Sequence, residues 1–60
     1  MFSLIFRTDN AAFEDAPELE CARILREVAD DLERVCFDGI VQDANGNTVG
    51  NYALTVKVQR

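Results

Sequence analysis

The stretch from Cys21 to Cys36 constrains the fold of this chain more than any other. At 100° per residue, Cys21, Ile24, Leu25, Val28, Leu32, Val35 and Cys36 fall within an arc of about 120°, the pattern of a helix that turns one face to a core. Pro17 suits a first helical turn, where no backbone hydrogen bond is lost. Asp15 ahead of it reads as the N-cap, with Glu18 three residues on as a capping-box partner. Leu19 falls on the opposite side and is expected to be exposed. Gly39 is the expected breaker, which lets the helix run on through Cys36.

Strand signals flank this helix. In Phe2–Arg7, residues Phe2, Leu4 and Phe6 alternate with Ser3, Ile5 and Arg7, a period of two in aromatic and branched residues. The segment Thr8–Asp15 has loop composition, and Phe13, its one large apolar residue, is expected to tuck under the helix. Asn45-Gly46 is a strong hairpin signal, because a type I′ turn needs positive φ at both central residues. That turn pairs Asp43 with Thr48, Val41 with Gly50 and Gly39 with Tyr52, unless a bulge at Gly50 shifts the register by one. Val41, Tyr52, Leu54, Val56 and Val58 then face the helix. Ile40, Val49, Ala53 and Thr55 share the opposite face with Ile5, an apolar surface through which the chain could self-associate. The expected fold is α+β with order β-α-β-β: a three-stranded antiparallel sheet, the last strand central, and one helix packed on one face.

Sixty residues make a single domain, 1–60, that buries roughly 60% of the surface of its unfolded chain. The two cysteines do not staple it. On one helix, Cys21 and Cys36 lie about 22 Å apart, against the roughly 7 Å between Cα atoms that a disulfide tolerates. Both are expected buried and reduced. No run approaches the length of a membrane span, and the short apolar start before Arg7 does not make a signal peptide. The expectation is a protein of the cytoplasm of a host bacterium.

Few chemistries fit. The chain has no His, so the usual general base and the commonest neutral metal ligand are missing. Asp43, Asn45 and Asn47 alternate like calcium ligands, but Thr48 and Leu54 stand where an EF-hand loop needs Gly and Glu. Asp30 and Asp31 point about 100° apart on the polar side of the helix, which does not make an acid–base pair. A pI near 4.3 opposes direct binding to nucleic acid. The expectation is no enzyme, no cofactor and no metal.

The charge is unevenly placed. Between Glu14 and Arg34 stand eight of the eleven acidic residues and three of the six basic ones, and this segment carries the whole formal charge of −5. On a helix, Glu20, Glu27 and Asp31 line up within about 40° of one another over roughly 16 Å. Glu14, Asp15 and Glu18 gather at the start, where the helix dipole favours acids. Arg23 is spaced to pair with Glu27, and Arg26 and Arg34 with Asp30. A solvated helix laced with weak ion pairs accounts for the arginines. An acidic surface built to meet a basic groove accounts for the excess of acids, because spaced carboxylates on a rigid helix imitate a phosphate backbone.

The segments "TDNAAFED" (Thr8–Asp15), "ARILREVADDLE" (Ala22–Glu33) and "DANGNTVG" (Asp43–Gly50) together resemble a family of short phage and prophage proteins, over nearly the whole chain. Small acidic members of this size resemble anti-CRISPR proteins, in particular type I-C inhibitors from Pseudomonas prophages. That resemblance implies binding to the bacterial surveillance complex (Cascade), at a basic DNA-binding surface, so that target DNA is kept out. It implies no catalytic residue. The expected partner-binding residues are Glu14, Asp15, Glu18, Glu20, Glu27 and Asp31, on a chain that is a monomer rather than a homodimer. The alternative is a phage accessory or structural protein that self-associates through its open sheet face.

Overall fold

A computed structural model describes residues 1–57, and the expectation for Val58 lies outside them. In chain order the elements are β1 (Phe2–Phe6), a single 3-10 turn (Ala11–Phe13), α1 (Pro17–Glu33), β2 (Asp38–Gln42) and β3 (Thr48–Leu54). The three strands form one antiparallel sheet in the order β1-β3-β2, with β3 central. The helix packs against one face. This is the α+β architecture that the sequence pattern implies.

The β2–β3 hairpin follows the expected register at its base, where Gly39 pairs with Tyr52 and Val41 with Gly50. Nearer the turn it departs, because Gln42 and not Asp43 stands opposite Thr48, leaving Val49 as an extra residue in β3. The turn is not type I′ either. Only Gly46 has positive φ (86°), and the Gly46 amide donates to the Asp43 carbonyl at 3.0 Å. A type I turn closed by a glycine in the left-handed region satisfies a three-residue loop. What selects it is the Asp43 carboxylate, whose Oδ1 accepts the backbone amides of Asn45 and Asn47, each at 2.9 Å. The bulge turns Val49 from the open face into the core, where it is 4% exposed. Beside it, a Cβ on Gly50 would stand 1.9 Å from the Ile5 carbonyl oxygen and 2.5 Å from the Phe6 Cα, so β1 and β3 can approach this closely only at a glycine.

Both ends of α1 differ from the sequence reading. Ala16, not Asp15, is the N-cap, and no side chain caps the first turn. The cause is Pro17, which keeps the residue before it out of the helical region; Ala16 sits at φ −143° and ψ 75°. Asp15 is left outside the helix, in the bend that follows the 3-10 turn. At the other end the helix stops at Glu33, well short of Gly39. Val35 takes φ 63°, its amide donates to the Leu32 carbonyl at 2.9 Å, and the Cys36 amide donates to the Asp31 carbonyl at 3.0 Å. This is a Schellman closure, which normally has glycine at its left-handed position.

The early stop removes the last apolar residues from the helical stripe. Val35 is 71% exposed, and Cys36 is exposed rather than buried. Leu25, at the edge of the stripe, is 52% exposed. Cys21 is half-buried, and both cysteines are free. The core is Phe13, Ile24, Val28, Val41, Val49 and Tyr52, with Leu4, Phe6, Ala12, Cys21 and Leu32 packed around it. Phe13 lies under the helix as expected and stacks with Phe6 at a centroid distance of 6.2 Å. Ile24 is fully buried at the centre, a side chain worth about 1.5–3 kcal/mol of transfer free energy. Beyond Tyr52 the core ends, and Val56 is 63% exposed instead of meeting the helix. The Tyr52 hydroxyl donates to the Cys36 carbonyl at 3.0 Å and ties the chain after α1 to the central strand.

Candidate interaction surface

Two of the expected site residues are not available to a partner in the manner the helical wheel suggests. Glu20 is buried. Its Oε1 accepts from Arg23 Nε at 2.8 Å, and its Oε2 accepts from Arg23 Nη2 and from the Ala44 backbone amide, both at 2.8 Å. The hydrogen bonds from Arg23 hold its pKa below the usual carboxylate range, and they outweigh the opposing effect of burial. Glu20 therefore joins the first turns of α1 to the β2–β3 turn. Glu27 remains exposed, but its carboxylate is bound to Arg23 Nη1 at 2.5 Å, the pairing that the four-residue spacing implies. Arg23 also donates to the Gln42 carbonyl at 3.1 Å. The supposed row of Glu20, Glu27 and Asp31 is thus one interior carboxylate, one that shares an arginine with it, and one half-buried one.

Asp31 stands close enough to Tyr52 for its charge to act on the hydroxyl. Burial first, and then the field of Asp31, raises the Tyr52 pKa. The expected pairs of Arg26 and Arg34 with Asp30 do not form; among the described residues the ion pairs are those of Arg23 with Glu20 and Glu27.

Asp43, which does not head a calcium loop, has a structural role instead. It is 4% exposed and gathers Asn10 Nδ2 at 2.6 Å, the Asn45 and Asn47 amides, and Asn47 Nδ2 at 3.2 Å. Burial pushes its pKa up, yet the hydrogen bonds from Asn47, Asn45 and Asn10 prevail and the pKa is lowered. Asn10 in turn caps the 3-10 turn, its Oδ1 accepting the Ala12 amide at 3.2 Å. The two segments "TDNAAF" and "DANGN" therefore meet in space as one scaffold beside the start of α1. The alternation of Asp43, Asn45 and Asn47 carried that signal, because aspartate and asparagine fold their own backbone into turns.

Of the expected contact residues, those around the start of α1 stay fully on the surface, and Asp9, Asp30, Glu33 and Asp38 are exposed acids elsewhere. Glu14, Asp15 and Glu18 are exposed, and no basic side chain pairs with them among the described residues. On either side of them the chain is anchored to the β2–β3 turn, by Asn10 donating to Asp43 and by the Ala44 amide donating to Glu20. On the far side of the sheet, Ile5 (74% exposed) and Ile40 (61%) flank Asn51 in one register row. No pocket opens among the described residues, and no helix there is long and apolar enough to cross a membrane. No protein family model matches the chain, and no curated protein or solved structure matches it either.

Proposed function

We propose that this protein is a CRISPR–Cas inhibitor that binds a type I surveillance complex and excludes target DNA by presenting carboxylates in place of phosphates. The observation that carries the reading is the acidic end: Glu14, Asp15 and Glu18, exposed and unpaired among the described residues, on a segment anchored at both ends by partly buried hydrogen bonds. Charges so placed steer the protein to a basic groove and then accept hydrogen bonds from arginine. The choice of a CRISPR complex as partner comes from the resemblance of three sequence segments to phage proteins. Occlusion of this kind requires no catalytic group, cofactor or metal. Glu20 moves from the contact set to the supporting scaffold, and Glu27 contributes only where a partner's arginine displaces Arg23.

The test is neutralisation of the acidic end by Glu14→Gln, Asp15→Asn and Glu18→Gln together. The triple variant should stay folded with only the small loss of stability that the helix dipole implies, bind the surveillance complex more weakly at low salt, and lose affinity less steeply as salt rises. Undiminished binding with an unchanged salt slope would remove the acidic-end mechanism. The open sheet face is the competing surface, and it keeps Ile5 and Ile40 after the bulge has taken Val49 into the core. Self-association that Ile40→Lys abolishes would favour that reading instead.

A further inference from the structure

The two edges of the sheet are not equivalent. In β1 the odd residues face β3 with their backbone groups: the Arg7 amide donates to the Val49 carbonyl at 2.9 Å, and Met1 exchanges both backbone hydrogen bonds with Thr55. An antiparallel ladder alternates, so the amides and carbonyls of Phe2, Leu4 and Phe6 point away from the sheet. Those of Asp38, Ile40 and Gln42 do the same on β2, because Leu54 donates to the Phe37 carbonyl at 2.7 Å and fixes the phase there. The β2 edge has safeguards. Asp38 opens it, and the ladder breaks between Val41 and Gln42. Phe2–Phe6 has no charge, no proline, no glycine and no break in register. Proteins that stay apart guard such an edge with charge, proline or a bulge.

We propose that β1 pairs antiparallel with β1 of a second copy about a two-fold axis at Leu4, giving a continuous six-stranded sheet. The register follows from the outward backbone groups. Centring on Leu4 places Phe2 opposite Phe6 of the second copy, and the reverse, so that all five residues pair. Phe2, 45% exposed in the single chain, then meets an aromatic ring across the seam on the helix side, a favourable cross-strand pair. Ile5 lies opposite Ser3 of the second copy on the open side. The excess acid lies between Glu14 and Arg34, outside the strand, and the Met1 ammonium is turned away from the seam toward the Thr55 carbonyl at 2.7 Å. Facing residues of an antiparallel pair share one side of the sheet, so both α1 helices lie on the same side. This dimer stands whether or not the CRISPR reading holds. If both hold, the two acidic ends are displayed on one side of a single sheet.

The experiment is sedimentation over a concentration series, combined with residue-resolved amide exchange at the two ends of the series. The expected result is a monomer–dimer equilibrium in which the Phe2, Leu4 and Phe6 amides slow at high concentration. The Ser3 and Ile5 amides stay protected throughout, and the Asp38, Ile40 and Gln42 amides stay fast. Ser3→Lys with Ile5→Lys sets lysine against lysine twice across the seam and should weaken dimerisation roughly tenfold or more. Ser3→Lys with Ile5→Glu restores attraction and should recover it, which separates a broken seam from a damaged fold. A monomer at every concentration would overturn the proposal. So would a dimer that protects the Ile40 amide, that Ile40→Lys dissolves, or that the Lys/Glu variant fails to recover. Protection of the Phe2, Leu4 and Phe6 amides that does not change with concentration would equally overturn it.

Discussion

Replacing Glu20 should damage the fold before it affects any partner. Glu20→Ala removes the acceptor for the Ala44 amide and for Arg23 Nε and Nη2, all at 2.8 Å. The arginine loses least. Its side chain is 34% exposed and keeps Glu27, so that part of the loss is discounted to about 0.5–1 kcal/mol. The partly buried Ala44 amide, left without its acceptor, adds about 1–2 kcal/mol. The expected loss is about 1.5–3 kcal/mol, against a stability of roughly 3–9 kcal/mol for a domain of this length. Glu20→Gln keeps one acceptor oxygen and should cost about 1 kcal/mol. Glu27→Gln, at an exposed ion pair, should stay within about 0.5 kcal/mol of the parent. Urea unfolding monitored by far-ultraviolet circular dichroism ranks the three, and each kcal/mol lowers Tm by about 4–8 °C in so small a domain. A Glu20→Ala variant as stable as Glu27→Gln would refute the claim that Glu20 bridges helix and hairpin.

Three further outcomes follow from the same geometry. Val35→Gly should raise stability by about 1 kcal/mol, because a β-branched residue at φ 63° is strained and its exposed side chain contributes little packing; a lower Tm would count against the Schellman closure. Gly50→Ala should leave the chain largely unfolded at room temperature, since the Ile5 carbonyl and Phe6 Cα have no room to retreat within the sheet; a native amide spectrum would contradict this. In acid, the lowered folded pKa values of Glu20 and Asp43 set the sign. Their stabilisation is complete above the ordinary values of 4.5 and 3.8 and is lost as pH falls through the folded ones. Urea midpoints should therefore hold from neutrality to about pH 5 and then decline, and Glu20→Gln should remove part of that decline.

The periodicities carried the architecture, and local chemistry carried the departures from it. Alternation in Phe2–Phe6 and the helical arc at Ile24 and Val28 report burial directly, so strand order and core centre were legible. Val49 was misplaced because a single inserted residue inverts the alternation, and an Asn-Gly dipeptide does not reveal which turn its preceding aspartate selects. Cys36 was misplaced because a valine ends the helix in a conformation usually left to glycine. Glu20 lay at the border of the polar face on a helical wheel, and a wheel does not show that the hairpin turn comes down over that border and offers the Ala44 amide. The exposure of Glu14 and Asp15 was legible from sequence, because both precede Pro17 in a stretch with loop composition.

The most direct test of the central claim is competition between this protein and target DNA for a purified type I-C surveillance complex across a salt series. The expected result is binding at low salt that weakens as salt rises, is blocked when DNA is bound first, and itself blocks DNA when the protein is added first. No binding at low salt, or simultaneous binding of protein and DNA, would contradict it.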